Sequence, residues 1–504
     1  MVSKLWMSAA SAVAIMLAMP AYAQTAAAPD ADGGDAEIIV TAQKREERLI
    51  DVPQSMTAVS AADLSRLNAT QLRDFTSTVP ALTVTSTGVG RSQITLRGVT
   101  SGEDIGPTTG IYVDEVPYGS STAYANGAGL AFDAGLFDLE RVEVLRGPQG
   151  TLYGASSMGG LLKYVTRQPD LQEFGGFAQG GVSSTRFGGV NYNVAAAVNA
   201  PLVTDKVGVR ASGYYNHDAG VVDNLTLGDK NVDRSRVYGG RLDFLFKPTE
   251  DLSIRLTGFA QNIHRGGLSL VDYSRSGALS DGPFEQRRAA AEPYDQRFRI
   301  VSGTINYDLG FADLTSVTSY QTVRTDFVTD GSALYVPLLT TLGLDFGSVP
   351  IQFGSSTKKF TQEVRLASSG NQFLEWAIGG FYTHEKSGNT QIFQPTTLTG
   401  EASPIDLLSV SLPTSYDEIA GFANATLHLT DKVEVSGGVR VARNEQSYTQ
   451  NATGILVGSQ PTNKSKETVA TYLANLRYAF SDHASVYARF ATGYRPGGAN
   501  AVIT

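Results

Sequence analysis

The sequence predicts a mainly-β protein: a transmembrane antiparallel β-barrel preceded by a compact α/β unit. Three observations carry that reading. Alternating hairpins fill the chain after Pro169, and short turns between them alternate with long polar loops, as in a barrel whose short turns face the periplasm and whose long loops face outside. The chain opens with a secretory leader, and no later stretch is long and apolar enough for a membrane helix. The 504 residues include 53 glycines and 22 tyrosines but no cysteine. A soluble extracellular β protein shares this composition, but its loops need not alternate in length.

The leader has Lys4, an apolar core from Leu5 to Met19, and the cleavage pattern Ala21-Tyr22-Ala23, so residues 1–23 read as a signal peptide and the mature chain as starting at Gln24. Without cysteine there is no disulfide framework and no thiolate metal site. A net charge of −9 gives no support to a nucleic-acid partner. The region 24–51 begins as a small-residue acidic linker. Its run Ile38-Ile39-Val40-Thr41 is β-prone: either an ordinary first strand or a short strand that pairs with a partner's edge, and spacing does not separate the two.

Residues 52–168 read as one compact unit. Ser60 and Asp63 form a capping-box pattern with Asp in place of Glu, opening a helix with Leu64 and Leu67 on its apolar face. Asn68 interrupts it, and a second helix is expected with Leu72 and Phe75 on one side. The stretches "QITLRGV", "TGIYVDEVPY" and "RVEVLRG" alternate with period two. The glycine-rich "VLRGPQGTLYG", Val144–Gly154, is not a nucleotide loop: GxGxxG is absent, and Ala155-Ser156 follow where a Walker loop needs Lys-Ser/Thr.

In residues 169–504 about 13 candidate strands follow one design. Around the turn Pro201–Lys206, one face of the second strand carries Val207, Val209, Ala211, Gly213 and Tyr215, and the other Gly208, Arg210, Ser212, Tyr214 and Asn216. Aromatics near strand ends (Tyr214-Tyr215, Phe381-Tyr382, Tyr494) fit an interfacial girdle. Long loops are expected at Asp218–Arg234, Arg265–Tyr294, Ser387–Leu412 and Gln450–Lys466. A lumen holding a compact domain suits the 22-stranded type, so the barrel reads as partial, and residues 1–504 alone are expected not to close. No catalytic grouping emerges: the five histidines never form HExxH, and no GxSxG elbow occurs.

Together these motifs resemble the TonB-dependent outer-membrane receptors, over essentially the whole chain. "EIIVTAQKR" resembles the family's TonB box, here Glu37, Ile38, Ile39, Val40, Thr41 and Ala42. "DVPQSMTAVSAADL", "ITLRGV", "IYVDEVPY" and "LERVEVLRGPQGTLYGASSMGGLLKYVTRQP" match its plug domain. "YARFATGYRPGGAN" resembles a barrel segment.

The resemblance implies a plug inside the barrel lumen, with Arg97, Gly98, Arg146, Gly147, Pro148, Gly150, Gly154, Gly159 and Gly160 as its structural motif. Arg97 and Arg146 are expected to fork onto carboxylates of the barrel wall, and Gly159-Gly160 to approach it closely. Lys163 stands where many members carry a neutral residue, and a lumen or interface salt bridge is its expected role.

The implied function is energised uptake of a scarce solute across the outer membrane, a ferric siderophore foremost. Vitamin B12 or an oligosaccharide remain open as solutes, and a passive porin or adhesin, or a nonfunctional fragment, as other classes. Implied partners are the periplasmic domain of TonB with its inner-membrane complex, outer-membrane lipid and a small solute. No enzyme activity or cofactor is implied. Ligand contacts are expected from Tyr124, Arg265, Arg287 and Arg288, since aromatic and cationic groups suit an anionic chelate.

Overall fold

The computed structural model describes residues 38–498, apart from 103–105, 123, 124, 126, 128, 134, 371, 456 and 457. The leader, Gln24–Ala36, Glu37, Tyr124 and Asn500–Thr504 therefore lie outside the described residues. At the N-terminal end, β1 (Ile39–Val40) and β2 (Glu47–Arg48) form a small hairpin. Then come β3 (Met56–Ser60) and α1 (Ala61–Arg66), with Ser60 and Asp63 making both bonds of the capping box. Asn68, at φ 48°, ends the helical run. The expected second helix is two single 3₁₀ turns, Leu72–Asp74 and Thr76–Thr78, which still bury Leu72 and Phe75 completely. Burial is met without a continuous helix.

There follow β4 (Leu82–Ser86), β5 (Ser92–Leu96), β6 (Thr109–Val113), β7 (Val116–Pro117), β8 (Leu139–Arg146), α2 (Gly150–Tyr153) and β9 (Gly160–Thr166). Strands β4 and β5 make a separate hairpin, and the others form a mixed sheet in the order β3-β8-β9-β6-β7, with β6 parallel to β9. Gly160 must be glycine: at φ 148° a Cβ would sit 2.1 Å from the Leu145 carbonyl oxygen. This close approach is inside the plug rather than at the wall, correcting the expectation for Gly159-Gly160. The turn touches the wall at Gly150 instead, whose N–H donates to the Thr492 carbonyl at 3.2 Å.

The second part is a thirteen-stranded antiparallel meander. Its members are β10 (Gly175–Ser184), β11 (Val190–Val203), β12 (Val207–Asp218), β14 (Ser235–Phe246), β15 (Leu252–Arg265), β17 (Tyr294–Asp308), β18 (Ala312–Asp330), β19 (Pro350–Ser368), β20 (Leu374–Phe393), β21 (Leu408–Thr430), β22 (Val433–Thr453), β23 (Gln460–Ser481) and β24 (Ala484–Ala491). The long loops carry two further short strands, β13 (Asp223–Asn224) and β16 (Glu285–Gln286), which pair in parallel and tie two loops together. Strands β10 and β24 are the outer edges of the sheet among the described residues.

Period-two alternation sets the two faces. On β12 the Gly208 row faces the plug, with Arg210 and Tyr214 buried, and the Val207 row faces outward. Outward Tyr215 stacks with Tyr192 and Tyr238, and Tyr238 with His264, an aromatic ladder at one membrane face. Tyr214, Phe381 and Tyr494 belong inside instead: Tyr214 donates to Gln261 Oε1 at 2.5 Å, Arg440 lies over Phe381, and Tyr494 is buried. Adjacent aromatics on a strand point to opposite faces, so each of the two expected pairs splits. Two loops are shorter than expected because β20 runs on to Phe393, β21 starts at Leu408, and β22 and β23 reach Thr453 and Gln460. The β18–β19 loop holds an unexpected helix, α3 (Ser332–Thr341), whose Leu339 joins Phe346, Val349, Phe393 and Leu407 in a satellite apolar core.

The plug is joined to the sheet by apolar packing on one side. Phe132, 1% exposed, sits among Phe298, Phe259, Tyr118 and Tyr164 with ring centroids 4.7–5.9 Å apart. Ile300, Val317 and Val323 of β17 and β18 extend the same core. Truncating this hub leaves a cavity that neighbours on two separate elements cannot fill. Phe132→Ala is expected to cost about 3–5 kcal/mol. Denaturant unfolding of the receptor in detergent, followed against the parent, checks this.

Candidate functional site

Charges clamp the plug around its rim. Two sharp turns place acids there: Asp114 and Asp138 both adopt positive φ, at 52° and 58°, which Asp tolerates better than most residues. Asp138 accepts from Arg210 Nη2 at 2.5 Å and Arg241 Nη2 at 2.7 Å, both on the wall. Asp114 meets Arg255 at 3.4 Å and also fixes Thr166 through its backbone and side chain. Arg241 and Arg255 share Asp243, so the arginines stand between two sets of carboxylates. Removing one partner of such a buried pair would leave the other charge uncompensated.

The polarity is opposite to that expected for Arg97 and Arg146. Arg146 donates within the plug, to Ser55 Oγ, Thr57 Oγ1 and the Met56 and Pro80 carbonyls, and among the described residues it has no carboxylate partner. Its guanidinium stitches the start of β3 to the end of β8. Arg97 lies beside Gly147, 3.2 Å from where a Cβ would stand. At Asp114 and Asp138 the wall supplies the arginines and the plug the acids.

A second network gathers at the N-terminal hairpin. Thr41 donates its N–H to Glu143 Oε1 at 2.9 Å, and its hydroxyl lies 3.2 Å from the same oxygen. Lys163 donates to Thr41 Oγ1 at 2.8 Å and to Glu115 Oε1 at 2.6 Å. Arg365 of the wall holds the other oxygen of Glu115 at 2.8 Å and Glu363 at 3.1 Å. Lys44 returns to Glu363 at 2.6 Å. Tyr153, presented by α2, donates to the Thr41 and Ala42 carbonyls at 3.2 and 3.1 Å. The tight glycine turn therefore delivers the ring that holds the hairpin down. Lys163 is the hub: it joins hairpin, plug sheet and wall.

Burial raises the Glu115 carboxyl, but Lys163, Arg365 and Lys44 together overturn that and hold it well below the usual range. Burial lowers the Lys44 ammonium, partly offset by Glu363. Glu47 on β2 is pushed by burial from 4.5 up to about 7, with Arg45 opposing. Arg45 also pairs with Glu375 of the wall, and Arg477 with Asp51 at 2.5 Å.

The residues expected to touch ligand are distributed differently. Arg265 is buried at the outer end of β15, its guanidinium over the Tyr294 ring and its Nη1 donating to the Val89 carbonyl of the plug apex. Tyr294 Oη donates to the Gly90 carbonyl at 2.6 Å, and Arg91 lies over Phe327. Arg287 pairs with Asp281 at 3.0 Å, and Arg288 with Asp272 at 2.8 Å. The structure thus brings Arg265 to the plug apex and leaves Arg287 and Arg288 in the loop that runs over it. The sequence reading missed Arg91, Tyr294 and Phe327. Their signal was register, since Arg265 pairs with Tyr294 and Tyr294 with Phe327 across the strands.

A mixed-sheet plug held within an alternating sheet with a lipid-facing aromatic ladder defines an outer-membrane receptor. The family model described as TonB-dependent Receptor Plug Domain matches residues 48–161, and that described as TonB dependent receptor-like, beta-barrel matches 264–503. The chain belongs to the TonB-dependent receptor family. It is 28% identical over 506 residues to the pesticin receptor of Yersinia pestis, covering 97% of this chain and 67% of that protein. The crystal structure of the ferric yersiniabactin uptake receptor FyuA from Yersinia pestis superposes with a TM-score of 0.75 at 22% identity, over 90% of this chain and 66% of that one. The ferric-catecholate import receptor Fiu from E. coli K12, in its open form, gives 0.67 at 16% identity, over 89% and 71%. The chain thus spans about two thirds of the length of these relatives.

Two outcomes follow from the hub. Lys163→Met removes charge-assisted bonds to Thr41 and Glu115, and losing such a bond costs about 1.5–3 kcal/mol, roughly ten- to a hundredfold in local opening. Amide exchange at Val40–Ala42 should accelerate accordingly, read by mass spectrometry. The second concerns Glu47, whose folded pKa is raised. Its contribution to holding the hairpin is complete below pH 4.5 and is lost as pH rises through about 7. The hairpin should open more readily to protease at pH 8 than at pH 5.5, and Glu47→Gln should flatten that dependence.

Proposed function

We propose that this receptor imports an iron chelate across the outer membrane by energised displacement of its plug, driven through the N-terminal hairpin by the periplasmic domain of TonB. The observation that carries the reading is the hub: Thr41 is fastened to the plug sheet and, through Lys163, Glu115 and Arg365, to the wall. A pull on residues 38–42 reaches those bonds first. A strand at this end suits β-pairing with a partner, because Ile39 and Val40 are held by a two-residue ladder. The occupied lumen argues against a passive pore.

A ferric siderophore is the favoured solute. The kinship with a pesticin receptor and the fold likeness to a ferric yersiniabactin uptake receptor support it. The guanidinium–aromatic pairs at the plug apex, Arg265 on Tyr294 and Arg91 on Phe327, suit an anionic chelate with aromatic groups.

The experiment is uptake of radiolabelled ferric yersiniabactin by cells producing the receptor, with and without a protonophore. The parent should accumulate iron only when energised. Ile39→Pro, which removes a backbone donor from the hairpin, should abolish uptake and leave surface binding nearly intact. Uptake at the parental rate in the variant, or uptake indifferent to the protonophore, contradicts the reading.

A further inference from the structure

The outward face of the sheet carries a patch of cations that its own acids do not balance. On β17 to β20 the alternation puts Arg297, Arg299, Arg324, Lys358 and Lys386 outside, all exposed, while Phe298, Ile300, Val323 and Lys359 turn inward beside them. Register sets like against like: Arg297 lies directly opposite Arg324, and Lys358 directly opposite Lys386. Like charges so placed destabilise a sheet. Arg324 turns to Asp326 of its own strand at 2.8 Å, and Arg299 to the Gln261 carbonyl and Asn262 Oδ1, both at 2.8 Å. Arg297, Lys358 and Lys386 make no ion pair or hydrogen bond among the described residues. On β22 and β23 the same face is balanced, since Arg443 and Lys466 share Glu445 at 3.3 and 2.9 Å.

The patch lies between two different surfaces. One step toward the short-turn ends of the strands, Val301, Tyr320 and Phe360 stand opposite one another as an apolar shelf. Val301 and Tyr320 are 65% and 49% exposed, as side chains that meet lipid chains on the outside of a barrel are. Toward the long-loop ends, an open groove on the same face is lined in part by Asp326, Gln352, Gly354 and Thr390. We infer that this patch binds a glycolipid of the outer leaflet whose headgroup carries at least two anionic groups. Its acyl chains lie on the shelf, its anions between the facing cations and its sugars in the groove. The outer leaflet follows from the position of the patch near the long loops. Two anions follow from spacing: the Arg297–Arg324 and Lys358–Lys386 pairs are centred two strand spacings apart, about 10 Å, so each calls for its own counter-charge. Guanidinium forks and lysine ammonium groups both suit phosphate or carboxylate. The inference concerns the outer surface of the barrel and does not depend on the uptake reading.

The test is lipid binding by the purified receptor. Native mass spectrometry follows the detergent-solubilised protein as it is titrated with diphosphoryl lipid A, monophosphoryl lipid A or phosphatidylglycerol. The parent should bind diphosphoryl lipid A most tightly and phosphatidylglycerol least. Lys358→Gln combined with Lys386→Gln should weaken diphosphoryl lipid A by about tenfold or more. Arg443→Gln combined with Lys466→Gln removes as much positive charge from the same face, and should leave binding close to the parental value. Thr390→Trp, which fills the groove, should weaken both forms of lipid A several-fold and leave phosphatidylglycerol unchanged. All five side chains are exposed, so the fold tolerates these changes. Parental binding by the Lys358/Lys386 variant, an equal loss in the Arg443/Lys466 variant, or no preference for diphosphoryl lipid A over phosphatidylglycerol would overturn the site. Equal binding of the two forms of lipid A would overturn the pair of anions, and parental binding by Thr390→Trp the place of the sugars.

Discussion

The seating of the plug depends on carboxylates that it carries into a wall of arginines. Asp114 and Glu115 form the tight turn between β6 and β7, and Asp138 stands just before β8, places where an acid can accept several donors at once. Each is met by a guanidinium from a separate strand: Arg255, Arg365, and Arg210 with Arg241. Such contacts fix register, because moving the plug by one residue would leave both partners buried and unpaired. They are also reversible: once solvent enters, screening removes most of their hold. The displacement proposed above asks for a plug that is retained and yet moves, and this chemistry serves that better than a continuous apolar seam.

The remaining features divide the work around that clamp. The aromatic group around Phe132 gives one side of the plug a water-excluding anchor. The hairpin at residues 39–48 is fastened through Thr41 to Lys163 and Glu143 of the mixed sheet and through Lys44 and Arg45 to Glu363 and Glu375 of the wall, so strain applied from the N-terminus meets the Thr41 bonds first. At the other end, Arg265 and Tyr294 hold the Val89 and Gly90 carbonyls. The plug is thus tied at apex, rim and base by different bonds, and these need not fail together.

Much of the fold was legible because strands and caps are local. The alternation of Val207 to Asn216 gave both faces of β12, and Ser60 with Asp63 gave the start of α1. The leader and the box residue Glu37 lie outside the described residues. The site was less legible because its bonds are not local: Lys44 and Glu363 are 319 positions apart, and Asp138 and Arg210 are 72. Nothing in the spacing told Arg146, which serves the plug interior, from Arg365, which serves the interface. Helix α3 escaped notice because Pro337 lies inside it and its apolar residues pack into a loop core instead of forming a regular stripe. For Lys163 a salt bridge was legible but not its partners, because Thr41 and Glu115 come from other elements.

The most direct measurement is single-molecule pulling on the N-terminus of the membrane-embedded receptor. The account predicts two stages: release of residues 39–51 at low force as the Lys163 hub parts, then resistance at higher force from the sheet anchored around Phe132 and Asp138. Lys163→Met should lower the first force and leave the second unchanged. Extraction of the plug in one step, or a first force indifferent to Lys163, would contradict it.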